Sequence, residues 1–265
     1  MAVYPAAVAT SSRAPRGSSP RGRGRHLDWP ACQNARDLGG LLNADGRRIR
    51  WGALVRADVL TRLTAAGHRA VLAHGVRTVV DLRAPGELVR MPSPFANHPE
   101  VEYLPVPVQP DHDPEAGRLM DATDDLVEVY RIIVDRYPAG FAAAARAVAR
   151  ARPGGVIVHC HAGKDRTGIL VALVLELLGV PRATIVRDYA LTDRRLVRHY
   201  AAELAEVAHD PRRHARLRLF QHTRTSTMRA VLDHLAARHG GAAAYLRGGG
   251  LGDADAERLR ARLLA

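Results

Sequence analysis

The stretch VIVHCHAGKDRTGILVALVLELLG, residues 156–179, determines how the rest of the chain is interpreted. Residues 156–160 form a compact apolar run typical of a buried strand, and residues 167–179 form an apolar run of helical length. The segment HAGKDR therefore joins the carboxyl end of a strand to the amino end of a helix. Open α/β folds bind ligands at such junctions, where backbone amides and the helix end favour an anion. The sequence thus predicts an anion-binding loop at this position.

Strand-like and helix-like segments alternate on the N-terminal side of this loop. Short β-branched runs predict buried parallel strands, whereas the run containing Pro105 and Pro107 fits only the edge of a sheet. The C-terminal third shows helical patterns alone. This alternation predicts an α/β domain with a central, mainly parallel sheet flanked by helices. The predicted elements are strands at 51–57, 76–82, 101–108 and 156–160, and helices at 64–74, 123–137, 139–151 and 167–179.

The chain of 265 residues is strongly basic, with a formal net charge of +12. Residues 1–27 are rich in Ser, Pro, Gly, Ala and Arg and lack the apolar core of a signal peptide, so we expect a disordered tail. A nucleic-acid partner is disfavoured, because zinc-finger and RNP-type motifs are absent and aromatic residues make up only 5%. An anionic small substrate or a lipid headgroup explains the charge equally well. The tail arginines would favour peripheral contact with an anionic membrane.

Cysteine and histidine usage argues against disulfides and metal sites. Two cysteines, Cys32 and Cys160, are too few for a disulfide framework, which favours the cytoplasm. The neighbouring His159, Cys160 and His161 would point to opposite faces of a strand, and no second ligand cluster accompanies them. We therefore expect no metal and no cofactor. The longest apolar run is interrupted by Glu176 and is shorter than the roughly 20 residues of a membrane span.

Two kinds of phosphate-binding loop compete as interpretations of HAGKDR. A Walker A loop requires Ser or Thr directly after Gly-Lys, and here Asp165 follows Lys164. The spacing from Cys160 to Arg166 instead matches the cysteine phosphatase loop, in which Cys is followed by five residues and Arg. Lys164 is also the only lysine among 39 basic residues. This loop therefore predicts phosphate chemistry, with an ordinary buried thiol as the alternative for Cys160.

Each residue type in this loop has a chemical reason. Cys160 is the predicted nucleophile, and the positive groups around it favour its thiolate form. Arg166 can bind two oxygens of a transferring phosphoryl group bidentately. Gly163 lets the backbone approach a phosphate closely, and Thr167 can donate a hydrogen bond to the sulfur. The predicted substrate-binding residues are His161, Ala162, Gly163, Lys164 and Thr167.

The loop HCHAGKDRTG, together with NARDLGG at 34–40 and GVRTVVDLRAPGE at 75–87, resembles the bacterial tyrosine-phosphatase-like family. That family includes secreted mycobacterial and listerial phosphatases, so the resemblance leaves export open beside a cytoplasmic location. It covers roughly residues 28–265 and implies one domain with the cysteine-phosphatase fold, no metal and a two-step Cys-Arg mechanism. It also implies phosphorylated proteins or phosphoinositide lipids as substrates, with phosphotyrosine and sometimes phosphoserine or phosphothreonine hydrolysed.

The resemblance leaves the general acid open, because this sequence has no Trp-Pro-Asp loop. Asp165 resembles the loop aspartate proposed as the acid in this family, with Asp81 and Asp37 as alternatives. Asp81 with Arg83, and Arg36 with Asp37, also fit a structural ion-pair network. Geometry must decide among the three carboxyl groups.

The lone lysine and the charged stretch at 193–220 bear on the substrate. Lys164 resembles a second cation for a second phosphate, as in an inositol lipid headgroup, although it would also simply favour the thiolate. The resemblance also implies a helical segment that covers the site, and the charged stretch at 193–220 is the candidate for this lid. A catalytically silent module that binds phosphoproteins or phosphoinositides is the alternative function on the same fold.

Overall fold

The strands form one sheet in the computed structural model, which describes residues 24–265. The strands in this part of the chain are β1 (Arg36–Asp37), β2 (Leu54–Ala57), β3 (Val76–Asp81), β4 (Glu102–Pro105) and β5 (Gly155–His159). Their spatial order is β1-β2-β5-β3-β4, and every neighbouring pair is parallel except β1 with β2. The predicted mainly parallel sheet is therefore confirmed, with the proline-containing strand β4 at its edge.

Helices flank this sheet and make up the whole C-terminal third. A short 3-10 helix at Leu60–Arg62 precedes the first of them. The α-helices of the described residues are α1 (Ala65–Ala73), α2 (Pro85–Arg90), α3 (Pro114–Asp121), α4 (Leu126–Arg136), α5 (Pro138–Arg150), α6 (Asp165–Leu177), α7 (Arg182–Arg195), α8 (Val197–Glu206), α9 (Pro211–Phe220), α10 (Thr225–His239), α11 (Ala242–Gly248) and α12 (Asp253–Leu263).

The sheet is buried on both faces, and alternate residues of β5 pack to opposite sides. Val156 and Val158 join the larger core with Phe141 of α5, whereas Ile157 joins a smaller core with Trp29. This alternation follows from the two-residue period of a strand. The helix α6 is buried along ten of its thirteen residues. The sheet and α6 therefore provide a rigid support for the loop that connects them.

The boundaries differ from the prediction in ways that concern the site. Helix α6 begins at Asp165 rather than at residue 167, so Asp165 and Arg166 belong to its first turn. Strand β2 begins at Leu54 rather than 51, because residues 51–53 form a turn. The sequence missed β1, α2 and α3, which have only two, six and eight residues and are too short to show a hydrophobic period.

Residues 1–23, most of the predicted tail, lie outside the described residues. The residues that follow contact the domain: Arg25 Nη1 donates to Asp188 Oδ1 at 2.6 Å, and His26 pairs with Arg36 in an isolated bridge. Over residues 24–265, none of the helices combines the length and the apolar character that crossing a membrane requires.

Candidate active site

The loop at residues 160–164 follows β5 and ends where α6 begins. Gly163 has a φ of +65°, and a Cβ atom there would clash with the carbonyl group of Ala57 at the end of β2. Glycine is therefore required by the backbone itself, which is a different reason from the phosphate approach that the sequence suggested. Val59 N also donates to the carbonyl oxygen of His161 at 2.7 Å. The end of β2 and Val59, just after it, thus contact the loop at two points.

Side chains behind the loop bind its carbonyl oxygens. Asn34 Nδ2 donates to the carbonyls of Ala162 at 3.0 Å and Gly163 at 3.1 Å, and Arg56 Nη2 donates to that of Gly163 at 2.7 Å. In a trans peptide the N–H group points opposite to the C=O group. The amides of Gly163 and Lys164 therefore point away from Asn34 and Arg56, as an oxyanion cradle requires.

A buried ion-pair network holds these two side chains in turn. The carboxylate of Asp188 on α7 accepts from Arg25, Arg36 and Arg56 at 2.6–3.3 Å, and Arg36 also donates to Asn34 Oδ1 at 2.7 Å. Burial alone would raise the pKa of Asp188, but the surrounding guanidinium groups hold it well below its usual range. The loop is therefore anchored by charged groups that are removed from solvent.

Arg166 is oriented by a carboxylate that the sequence did not identify. Glu87 at the start of α2 accepts from Arg166 Nη1 at 2.5 Å and Nη2 at 2.9 Å, which is a bidentate pair. Burial opposes the charge of Glu87, yet the hydrogen bonds from Arg166 lower the pKa of this carboxyl group. Cys160 is itself only 2% exposed. The predicted nucleophile and phosphate ligand thus lie at the two ends of one fixed loop.

Asp165 lies at the mouth of this loop and is partly exposed. Tyr130 Oη donates to Asp165 Oδ1 at 2.5 Å and lies 2.8 Å from Tyr189 Oη, while Lys164 Nζ lies 2.9 Å from the same carboxylate oxygen. Burial and the neighbouring Asp165 raise the pKa of Tyr130 well above its ordinary value, so it remains a donor. The side chain of Asp165 is therefore held in place from both sides.

The two alternative acids lie elsewhere. Asp81 is fully buried and paired with Arg83 at 2.7 Å and with His159 at 3.5 Å. Asp37 accepts from the amide of Gly52 at the amino end of β2, at the opposite end of the sheet from Cys160. Neither carboxyl group lines the cavity that contains Cys160 and Arg166. Geometry therefore favours Asp165 among the three predicted candidates.

His159 lies behind the loop at the end of β5. Its ring is fully buried, and Nδ1 donates to the carbonyl oxygen of Cys160 at 2.9 Å. Burial lowers the pKa of His159, so the neutral ring is favoured. Thr167 Oγ1 is buried without a hydrogen-bond partner among residues 24–265, so the predicted bond to the sulfur is not formed here. The hydroxyl remains available to donate.

Helices α8 and α9 lie within the candidate lid stretch at 193–220 and line one side of a cavity at the catalytic loop; we refer to these two helices as the lid. A cavity of about 410 Å³ lies between them and the loop. Lys164 is only 5% exposed, and its Nζ donates to the carbonyl oxygen of Phe220 at 2.5 Å. The lid therefore covers the lone lysine. The cavity is lined by Cys160, His161, Ala162, Lys164, Asp165 and Arg166 of the loop and α6, by Tyr200, Glu203, Leu217, Phe220 and Gln221 at the lid, and by Gln109, Met120, Leu126, Val129 and Ile133.

Comparison with known proteins agrees with this geometry. A profile of the tyrosine phosphatase family matches residues 27–265. A tyrosine-protein phosphatase from Nostoc commune is 32% identical over 223 residues, covering 80% of this chain and 74% of that protein. The triple specificity protein phosphatase PtpB from Mycobacterium tuberculosis is 29% identical over 277 residues, covering 89% of this chain and 98% of that protein. This chain belongs to the tyrosine phosphatase family.

Proposed function

We propose that this phosphatase hydrolyses phosphate monoesters through a cysteinyl-phosphate intermediate, acting on phosphotyrosine and on phosphoinositides. The observation that most supports the proposal is the fixed relation of Cys160 to Arg166 across a loop whose carbonyls are bound from behind. Such preorganisation lets the amides and the guanidinium stabilise a phosphoryl transition state without further rearrangement. The mycobacterial relative is named a triple specificity protein phosphatase, which supports more than one class of substrate for this chain.

The proposed reaction has two steps. The thiolate of Cys160 attacks phosphorus, a P–S bond forms, and the ester P–O bond breaks while Asp165 gives a proton to the departing oxygen. Water then attacks the phosphoenzyme, its proton passes to Asp165, and the P–S bond breaks to release phosphate and the thiolate. Arg166 binds two phosphoryl oxygens in both steps, and Thr167 donates to the sulfur as it leaves.

The charge and shape of the lid support a phosphoinositide substrate. The cavity contains Lys164 beside Arg166, which offers a second cation to a headgroup with a second phosphate. Val197 of α8 and Leu219 of α9 are 63% and 46% exposed, on helices that also contain several arginines. Exposed apolar side chains on helices that also contain basic side chains suit contact with an anionic lipid membrane.

A panel of substrates with two serine variants tests this function. Phosphate release would be measured from phosphotyrosyl and phosphoseryl peptides and from phosphoinositide vesicles, with and without a chelator. Cys160→Ser should reduce turnover to background, because an alcohol is a far weaker nucleophile near neutral pH.

Cys32→Ser is the matched control for that variant. Cys32 is also buried, and its thiol donates to Asp58 Oδ1 at 2.9 Å, a bond that serine can preserve. We expect Cys32→Ser to retain most of the activity and the chelator not to reduce the activity of the wild-type chain. Full activity of Cys160→Ser would contradict the mechanism, and tight binding of the substrates without turnover would favour the binding module.

A further inference from the structure

A second group of chemically active side chains connects the lid to the catalytic loop. His161 follows Cys160 directly, and His199 and Glu203 lie four residues apart on one face of α8. One ligand atom from each of these three residues lies within 4.8 Å of the others. No second ligand cluster for His161 is recognisable in the sequence, because His199 and Glu203 are far from it along the chain and only the fold brings the three residues together.

The ring of His199 is buried, and one of its nitrogen atoms forms no hydrogen bond within residues 24–265. It is 7% exposed, and its Nε2 atom makes no hydrogen bond among the described residues. Glu203 Oε1 is 3.1 Å from this nitrogen, which is ion-pair distance for a protonated ring, but the contact lacks hydrogen-bond geometry and leaves a neutral ring without a hydrogen bond. A buried imidazole nitrogen without a partner costs free energy unless some other group satisfies it. The nitrogen is therefore available to a ligand between α8 and the loop.

The other two side chains are positioned to complete such a site. Gln221 Nε2 donates to Glu203 Oε2 at 3.0 Å, which fixes the carboxylate and leaves Oε1 facing His199. The ring of His161 lies 5.8 Å from that of His199 and makes no side-chain hydrogen bond within residues 24–265. Two imidazoles and one carboxylate are a ligand set that suits zinc.

The distances are compatible with a tetrahedral ion. Zinc–nitrogen and zinc–oxygen bonds of about 2.0–2.1 Å place neighbouring ligand atoms about 3.4 Å apart. The 3.1 Å separation of His199 and Glu203 is close to this value, and a rotation of the partly exposed His161 ring brings in the third ligand. Two nearby cations are already compensated, since Lys164 pairs with Asp165 and Arg166 with Glu87.

We propose that His161, His199 and Glu203 bind a zinc ion that fastens the lid to the catalytic loop and inhibits the enzyme reversibly. An ion bound there ties α8 to the residue next to Cys160 and keeps the substrate out of the cavity. Zinc is thus a regulator in this proposal and takes no part in phosphoryl transfer. The inhibition rests on the proposed function, whereas the binding of zinc does not.

Titration calorimetry of the chelator-treated full chain with zinc chloride tests the binding. We expect one zinc ion per chain, with affinity reduced at least about 100-fold by His199→Asn and by the nearly isosteric Glu203→Gln, since even outer-shell changes cost 10- to 100-fold. The second variant covers the case in which the first does not fold. Phosphate release by each folded variant, with and without zinc, should show inhibition that follows the calorimetric affinity and is reversed by a chelator.

Two controls separate this site from its competitors. Asp135, His234 and His239 form another candidate cluster, in which both imidazoles already contact Asp135 Oδ1 at 2.8 Å. His234→Asn and Cys160→Ser should both retain the bound zinc. Loss of zinc in Cys160→Ser would place the ion on the catalytic thiol, loss in His234→Asn would place it in the other cluster, and either result would overturn the proposal. Absence of binding to the wild-type chain would overturn it as well, whatever the phosphatase activity.

Discussion

The loop at Cys160 is held in different ways from its two sides. Behind it, Asn34, Arg56 and Asp188 are almost completely buried; Asn34 and Arg56 donate to carbonyl oxygens of the loop, and Asp188 accepts from Arg56. In front of it, α8 buries one residue, His199, and α9 buries none. The fixed side supplies the geometry that phosphoryl transfer requires, and the weakly packed side is free to admit a substrate. Geometry and access are therefore controlled by separate parts of the molecule.

Asp165 lies where these two sides meet, and its loss should have the largest effect among the predictions. Asp165→Asn should slow phosphotyrosine hydrolysis about 10²- to 10⁴-fold, because a positioned acid no longer protonates a basic leaving group. An activated aryl phosphate should lose much less activity, since its leaving group departs as an anion. Specificity constants for aryl phosphates of graded leaving-group basicity measure the difference.

The same substitution removes a charge near Cys160, and this effect must be separated from acid catalysis. The rate of Cys160 alkylation as a function of pH reports the ionisation of the thiol independently of turnover. When phosphoenzyme formation limits turnover, equal losses for all leaving groups would rule out Asp165 as the acid. Asp81→Asn would then be the next variant to examine.

The buried ion-pair network behind the loop can be disrupted by a substitution of Asp188. Asp188→Asn should lower the free energy of unfolding by about 3–5 kcal/mol, because three guanidinium groups lose the carboxylate that compensates them. Denaturant titration measures this loss. The exposed pair of Arg247 and Asp253 provides the control, and Asp253→Asn should leave stability unchanged. Similar stabilities for the two variants would show that the network does not anchor the fold.

This network also predicts a pH dependence. The pKa of Asp188 is depressed in the folded chain, so its contribution is complete above the unfolded carboxyl pKa of about 4 and is lost as the pH falls below that value. The wild-type chain should therefore lose stability more steeply between about pH 4 and pH 2 than Asp188→Asn does. Parallel pH profiles of the unfolding free energy would contradict this assignment.

On the side of the loop that faces the lid, a substitution of Lys164 should have a smaller effect on activity than the loss of Asp165. Lys164 contacts Asp165 and the Phe220 carbonyl, so it meets a substrate only when the lid moves. Lys164→Met should lower the specificity constant for phosphoinositides by about 10- to 100-fold, which corresponds to a charged hydrogen bond of ~1.5–3 kcal/mol. Phosphotyrosine should be affected less. Arg212→Met, on the exposed surface of α9, controls for the loss of one positive charge. Equal losses for both substrates would limit Lys164 to stabilising the thiolate.

The parts that sequence predicted well are those determined by nearby residues. The strand before Cys160 and the helix after it follow from composition and hydrophobic period, and the spacing to Arg166 follows from the chemistry of the loop. The supporting side chains could not be found in this way, because Asn34 and Gly163 are 129 residues apart. Asn34 lies in a stretch that resembles the family, but its contacts with the loop depend on tertiary packing, as do those of Asp188.

Glu87 and His199, on the other side of the loop, likewise could not be assigned to the site from the sequence. In the sequence, Glu87 looks like an ordinary residue of the first turn of a helix. It does have a capping role there, since it accepts a hydrogen bond from the amide of Ala84. Its pairing with Arg166 arises only because β3 lies next to β5 in the sheet and α2 follows β3 in the chain. The segment at 193–220 is a candidate lid from its charge and from the helical segment that covers the site in related proteins, whereas the burial of His199 within it has no sequence signal.

Direct trapping of the intermediate tests the mechanism at its centre. The full chain would be mixed with a phosphotyrosyl peptide, quenched in acid within the first turnovers, digested and analysed by mass spectrometry. We predict one phosphoryl group on the peptide that contains Cys160, formed before product accumulates and absent from Cys160→Ser. Product formation in the wild-type chain with phosphate on a different residue would contradict cysteinyl-phosphate chemistry at this loop.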